Sequence, residues 1–239
     1  MRVRTILTVG FDADDTLWQN ESFFRLTQEH FTHLLAEYAE VDHLHERLLA
    51  AERRNLGQYG YGVKGFVLSM IETAIEVTQG RVAAPVIAEI MAAGREMLAH
   101  PIDLLPHARD AVVAAAEDHR VLLITKGDLL DQERKLAQSG LGALFHGVEI
   151  VSDKTPEAYA RIFARHGGAV DRAVMVGNSL KSDVLPVIAA GGVGVHIPHG
   201  LTWALEHAEA PEGHSRFHTL PDLGALSALL AALHIGTTP

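Results

Sequence analysis

The chain has 239 residues, of which 48% are hydrophobic, and its formal net charge is −10 at pH 7. A nucleic-acid-binding surface needs a basic face that displaces counterions, so this acidic chain, which has no run rich in Lys and Arg, is not expected to bind nucleic acid. The absence of cysteine excludes disulfides, thiolate metal sites and cysteine catalysis.

No segment approaches the roughly eighteen unbroken apolar residues of a membrane-spanning helix, and the first residues lack a signal-like apolar region. We therefore expect a soluble, cytoplasmic protein with no membrane partner. The length allows one large core, or a core domain that carries a smaller insert. The sequence is compatible with either a monomer or a homodimer.

The first predicted element is a buried strand over residues 5–11, which is short and β-branched. Residues 19–56 contain neither Gly nor Pro, and they predict two helices that break near Val41 and Asp42. The glycine-rich stretch 57–65 predicts a loop, and two further helices are expected over 66–78 and 84–99. These elements predict a helical block inserted after the first strand.

Strands and helices alternate after Pro106. One helix is expected from after Pro106 through Glu117. Further helices are expected over 129–139, 155–166, 180–190 and 222–234. Strands are expected at 121–124, 148–151, 173–176 and 192–195. This alternation predicts an α/β fold, a doubly wound parallel sheet formed by residues 1–18 and 101–239, with an inserted α-helical domain over 19–100.

Polar side chains follow four of the predicted strands at the carboxyl edge of the sheet, where doubly wound folds bind ligands. The first strand is followed by three acids within four positions, Asp12, Asp14 and Asp15. These acids could simply end the strand and cap a helix, because Asp is common in turns. The three other strand ends favour a site, since they add a hydroxyl, an ammonium and an oxygen-rich loop. The candidate residues of these four strand ends are Asp12, Asp14, Thr125, Lys126, Lys154, Asn178 and Asp183.

Four ordered motifs in this set resemble those of the haloacid-dehalogenase-like (HAD) hydrolase superfamily. They are the Asp-x-Asp-x-Thr of residues 12–16, the strand-terminal Thr125, Lys154, and the Gly-Asn-Ser-x-x-Ser-Asp loop of residues 177–183. The resemblance implies a Rossmann-like core, with the helical block as the family's cap domain.

The resemblance also implies roles for these residues. Asp12 would be the nucleophile that forms an aspartyl-phosphate, and Asp14 the general acid and then the base. Thr125 and Lys154 would hold and screen the phosphoryl group of a small phosphorylated substrate. Mg²⁺ would be bound by the Asp12 side chain, the Asp14 backbone carbonyl, and the loop that carries Asn178 and Asp183.

A cation is also expected from electrostatics. A phosphate approaching an ionised carboxylate is repelled by about 4 kcal/mol per charge pair at about 4 Å and an effective dielectric constant of about 20. Oxygen ligands suit Mg²⁺, which takes few carboxylates together with waters and substrate phosphate.

Two further lysines are candidate substrate-binding residues. Lys126 stands at a predicted helix start, where free backbone N–H groups favour an anion. Lys64 lies in the glycine-rich stretch with two tyrosines, a setting that could close over the non-phosphate part of a substrate. A mobile loop with a solvated lysine is the alternative for Lys64.

Some residues depart from the family pattern. Asn178 stands where an acid is usual, so an amide oxygen would replace a charged ligand unless Asp183 compensates. Asp15 stands where many relatives have glycine, and we expect it to be a solvated turn residue. His196 and His199 follow the last predicted strand, and we expect a structured loop at the rim of the site.

Several functions share this fold. The favoured function is a Mg²⁺-dependent phosphatase. A phosphomutase would use the same core, whereas a true haloacid dehalogenase would need no metal and would lack the second Asp. Phosphonate hydrolysis would need a Schiff-base lysine in the inserted helices, where Lys64 is the only lysine. A catalytically silent binding module remains the alternative of a different class, and Asn178 is its best support.

Overall fold

The computed structural model describes residues 7–233. Its strands are β1 (Thr8–Phe11), β2 (Arg120–Lys126), β3 (Gly147–Val151), β4 (Ala173–Gly177), β5 (Val193–His196) and β6 (Phe217–Thr219). Its α-helices are α1 (Glu21–Leu34), α2 (Val41–Tyr59), α3 (Val63–Val77), α4 (Ala84–Ala99), α5 (Ala108–Asp118), α6 (Leu129–Ser139), α7 (Pro156–Arg165), α8 (Leu185–Ala189) and α9 (Leu226–Ala232). Thr5 and Ile6 of the predicted first strand and His234 of the predicted last helix lie outside the described residues.

The strands form one parallel sheet in the order β3-β2-β1-β4-β5-β6. The predicted α/β doubly wound fold is confirmed. In the centre, Phe11 of β1 is in register with Leu123 of β2 and with Val176 of β4. The residues that follow Phe11, Leu123 and Val176 therefore meet at one edge of the sheet.

Apolar cores cover both faces of the sheet, which explains why the central strands carry unbroken apolar runs such as residues 121–124 of β2 and 173–176 of β4. Along β4, Val174 and Val176 pack in the cluster that includes residues of α5 and α9. Ala173 and Met175, which alternate with these valines along the strand, pack in the cluster that includes residues of α7 and α8. Successive side chains of a strand point to opposite faces, so helices cover both sides of the sheet.

The described chain divides into two compact units. The sheet unit comprises the residues up to Gln19, Ile102–Thr125, and those from Arg134 onward. The helical unit comprises Asn20–Pro101 and Lys126–Glu133. Its core is a cluster of buried residues on α1 to α4, among them Phe31, Leu48 and Met70.

The loop predicted over residues 57–65 is wrong. Helix α2 runs through Gly57 to Tyr59 and α3 begins at Val63, so only Gly60–Gly62 connect them. Gly65 lies inside α3, and a side chain there would clash, because a Cβ at this position would lie 2.8 Å from the Gly60 carbonyl oxygen. The glycines at 60 and 62 adopt φ values of 73° and 111°, which glycine tolerates best.

Several predicted boundaries also shift. β2 continues through Lys126, so Thr125 lies within the strand rather than after it, and His196 ends β5 instead of following it. The predicted helix over 180–190 begins as a π-helical turn, Leu180–Val184, before α8. The three-residue strand β6 was not predicted, because so short a segment carries no detectable alternation.

Within residues 7–233, no helix combines the length and apolar character that a bilayer span requires.

Candidate active site

Asp12 lies directly after β1 and is joined to a distant carboxylate through one ammonium. Its backbone N–H donates to the Val176 carbonyl at 2.9 Å, which continues the sheet pairing into the site. The Nζ of Lys154 donates to Asp12 Oδ1 at 2.5 Å and to Asp183 Oδ1 at 2.6 Å. All three side chains are buried. The ends of β1, β3 and β4 thus meet at a single cation.

Local structure explains how Lys154 reaches this position. The Thr155 side chain caps α7 by accepting a hydrogen bond from the Ala158 N–H at 3.2 Å, and Pro156 occupies the first turn. The Lys154 N–H donates to Asp153 Oδ1 at 2.9 Å, which fixes the turn before the cap.

The charges of this cluster do not balance. Burial raises the pKa of Asp12 to about 7, because desolvation and the neighbouring carboxylates Asp183 and Asp14 outweigh the attraction of Lys154. Burial alone would lower the pKa of Lys154, but Asp12 and Asp183 outweigh it and raise that pKa. The ammonium therefore stays charged, and the two buried carboxylates, when both are ionised, carry more negative charge than it neutralises.

Thr16 links the Asp12 end of the site to the loop after β4. Its Oγ1 lies 2.9 Å from Asp12 Oδ2 and 3.2 Å from Asn178 Oδ1, and it accepts the Asn178 N–H at 3.0 Å. A hydroxyl has one proton to donate, so it serves one of the two oxygens at a time. The Asp12 and Asn178 oxygens consequently lie on either side of the same hydroxyl.

The position of the Asp183 carboxylate requires glycine at position 177. Its Oδ2 accepts the Ser179 N–H at 3.0 Å, and a Cβ on Gly177 would lie 2.1 Å from that Oδ2. Glu206 fastens the same loop, because its Oε2 accepts the hydroxyls of Ser179 at 2.6 Å and Ser182 at 2.5 Å.

Asp14 is held by two donors. The Trp18 Nε1–H donates to Asp14 Oδ1 at 2.7 Å, and Lys135 Nζ lies 3.0 Å from Oδ1 and 3.2 Å from Oδ2. Lys135 lies on α6 and is buried, as is Trp18. Sequence reasoning missed Lys135. The sequence shows only that Asp131, Lys135 and Ser139 share one face of α6 at intervals of four residues, and this spacing does not point to Asp14.

Thr125 is buried in β2. It lies two residues beyond Leu123, the register partner of Phe11, and hence at the level of the acidic cluster that follows β1. The role that the resemblance implies for Thr125, holding a phosphoryl oxygen, stays a prediction.

Lys126 and Lys64 belong to the helical unit, where they cluster with Tyr61 and Asp128. The ammonium of Lys126 lies 3.7 Å from the centre of the Tyr61 ring. Asp128 accepts the backbone N–H of Lys64 at 3.2 Å, and its Oδ1 lies 3.4 Å from Lys64 Nζ. The Lys64 side chain is 58% exposed, so its ammonium is open to solvent beside this carboxylate.

The expectation that Asp15 is solvated is wrong. Asp15 is buried, with a φ of 61°, and its Oδ1 lies 3.8 Å from His199 Nε2. This conformation is left-handed, and Asp is one of the non-glycine residues that tolerate it. His196 Nε2 lies 3.1 Å from the Asn178 carbonyl oxygen, and burial lowers the pKa of this histidine, which favours the neutral ring.

The donor set suits a magnesium ion. Within residues 7–233, no group of three or more His, Asp or Glu side chains is arranged to hold a metal. Mg²⁺ does not need such a group, because it takes one or two carboxylates together with waters and substrate phosphate. The oxygens of Asp12, Asn178 and Asp183 and the excess negative charge described above fit a hard divalent cation.

The fold and the site together define a doubly wound α/β protein whose buried carboxylates and lysine meet at the carboxyl edge of a parallel sheet. The haloacid dehalogenase-like hydrolase family matches residues 6–191. The chain belongs to this family.

Solved structures with the same fold include proteins of different activity. A haloacid dehalogenase-like family hydrolase from Xanthomonas campestris is 44% identical, with a TM-score of 0.85 over 95% of this chain and 91% of that one. The HAD-hydrolase YfnB from Bacillus subtilis, bound to magnesium, is 15% identical, with a TM-score of 0.66 over 94% of this chain and 98% of that one. The L-2-haloacid dehalogenase from Xanthobacter autotrophicus is 16% identical, with a TM-score of 0.66 over 96% and 100%. No curated protein sequence matches the chain.

Proposed function

We propose that this hydrolase is a Mg²⁺-dependent phosphatase that acts on a small phosphorylated metabolite through an aspartyl-phosphate. The observation that carries the proposal is the second carboxylate, Asp14, held in place by Trp18 and Lys135. Dehalogenation releases a halide ion, which needs no proton. Release of an alkoxide from a phosphate ester does need one, and Asp14 can supply it.

The reaction divides into two displacements at phosphorus. In the first, an Asp12 carboxylate oxygen forms a bond to phosphorus while the ester P–O bond breaks, and Asp14 gives its proton to the leaving oxygen. In the second, Asp14 takes a proton from water, whose oxygen bonds to phosphorus as the bond to Asp12 breaks. Inorganic phosphate leaves, and both carboxylates return to their initial states.

The remaining residues offset charge and orient the phosphoryl group. Lys154 screens the repulsion between Asp12 and the phosphate, and Thr125 donates to a phosphoryl oxygen. For Lys126 and Lys64, the proposal of a role in substrate binding rests on their positive charge alone.

Mg²⁺ would be held by the side chain of Asp12, the backbone carbonyl of Asp14, and Asn178 and Asp183. When bound, it supplies positive charge that offsets the repulsion between the nucleophile and a dianionic phosphate. The magnesium-bound YfnB structure supports this choice of cation.

The test is a screen of phosphorylated metabolites and aryl phosphates for release of inorganic phosphate, in Mg²⁺ and in EDTA. We expect turnover that requires Mg²⁺ and is lost in Asp12→Asn. Halide release from 2-chloro acids in EDTA would contradict the proposal and favour a dehalogenase. Phosphate that moves within the substrate without release would favour a mutase, and no turnover on any substrate would favour a silent binding module.

A further inference from the structure

We infer that Lys135 is a positioning residue for Asp14, acting through that carboxylate rather than on the phosphate. The inference rests on the proposed function and adds a residue to it. Lys135 comes from α6, which carries none of the other residues of the proposed mechanism in the sheet unit.

Lys135 is buried against Asp14 and contacts both oxygens of its carboxyl group. Its side chain is 8% exposed, and its Nζ lies within hydrogen-bond distance of both oxygens of Asp14, at 3.0 and 3.2 Å. A buried lysine bears a large desolvation cost unless it is paired, so the position would otherwise favour an apolar residue. The pairing therefore indicates a specific role for the ammonium at this carboxylate.

Together with Trp18, the ammonium fixes the direction in which Asp14 presents its oxygens. Trp18 Nε1 and Lys135 Nζ both contact Oδ1, and Lys135 Nζ also contacts Oδ2. Rotation of the carboxylate would break at least one of these three contacts, so the two donors hold it in one orientation. Proton transfer depends on this direction, because the donor must lie within about 3 Å of the atom that receives the proton.

The kinetic test compares Lys135→Met with wild type over aryl and alkyl phosphates whose leaving groups differ in basicity. Loss of Asp14 positioning should reduce kcat/KM by about 10-fold or more for alkyl esters, and by less for p-nitrophenyl phosphate, whose leaving group needs little protonation. The dependence on leaving-group pKa should become steeper, as in Asp14→Asn. In the Asp14→Asn background, Lys135→Met should change kcat/KM by less than about 2-fold.

Arg134→Met, one residue earlier on α6, is the matched control and should leave the leaving-group dependence unchanged. Lys135→Gln keeps a donor and serves if the Met variant does not fold; it should give a smaller change in the same direction. An equal loss on all esters, or an added loss in the Asp14→Asn background, would overturn the inference.

Crystal structures of wild type and of the Lys135 variants separate this inference from the proposed function. If no phosphate ester is turned over, the proposed function fails, and the orientation of Asp14 still decides the role of Lys135. We expect the Asp14 carboxylate to rotate or lose order in the variant. An unchanged Asp14 orientation in Lys135→Met would refute the positioning role.

Discussion

Replacing Asp12 by Asn should make the metal-free protein more stable at alkaline pH. Burial raises the pKa of Asp12 from 3.8 to about 7 in the folded state. The folded state therefore binds a proton more tightly than the unfolded state does, and stability is lost as the pH rises from the unfolded pKa to the folded one. The substitution removes this titration and leaves Lys154 paired with Asp183.

The magnitude follows from the shift. Ionising Asp12 costs about 4 kcal/mol at full deprotonation, since each pKa unit corresponds to about 1.4 kcal/mol. About 3 kcal/mol of this falls between about pH 5 and pH 8, because the lower part of the titration lies below that range. The difference in unfolding free energy, variant minus wild type, should rise by that amount across the interval.

The assay is urea unfolding of wild type and Asp12→Asn in EDTA at several pH values between 5 and 8. Subtracting the two curves removes the other titrating groups, and Asp171→Asn at an exposed carboxylate is the control that should follow wild type. A difference that stays flat across the interval would refute the charge imbalance at the site. Adding Mg²⁺ at pH 8 should stabilise wild type more than the variant, by linkage.

Three further substitutions test other parts of the site. Lys154→Met leaves two buried carboxylates without their ammonium; it should cost about 3–5 kcal/mol in urea unfolding at pH 8, and a cost below about 1 kcal/mol would contradict the burial of the pair. Gly177→Ala should reduce turnover at least about 10-fold and destabilise the fold by about 1–3 kcal/mol, because its Cβ would lie 2.1 Å from Asp183 Oδ2. Gly57→Ala is its control, since a Cβ there meets nothing within 4 Å, and it should stabilise α2. Lys64→Ala, at a side chain that is 58% exposed, should leave stability within about 0.5 kcal/mol but raise KM for the best substrate; unchanged KM and kcat would remove it from the substrate-binding set.

Much of the fold was predictable because it rests on local patterns. Each central strand is a short apolar run, and every helix of the described sheet unit begins near a polar or proline signal that the sequence displays. The meeting of Asp12, Lys154 and Asp183 was also predictable, since parallel strands end at one edge of their sheet. That inference needs the order of strand ends and no knowledge of side-chain packing.

What sequence reasoning missed depends on contacts between distant residues. Lys135 pairs with a carboxylate 121 positions away, and no spacing rule connects them. Glu206 accepts hydrogen bonds from Ser179 and Ser182, which lie 27 and 24 positions earlier, and its own segment shows no regular periodicity. The burial of Asp15 was missed for the same reason, because its neighbour His199 comes from a loop after β5. The glycine-rich stretch misled because close helix packing requires glycine just as a loop does.

Charge balance gives a physical reason for the amide at Asn178. In the sheet unit, the carboxylates Asp12, Asp14 and Asp183 outnumber the ammonium groups that contact them, Lys135 and Lys154, which leaves at least one excess negative charge when all are ionised. An acid in place of Asn178 would add a second one beside the hydroxyl that already contacts Asp12. In the proposed magnesium site, the amide would supply an oxygen to the cation without that repulsion, and the metal-free fold bears a smaller electrostatic cost than it would with an acid.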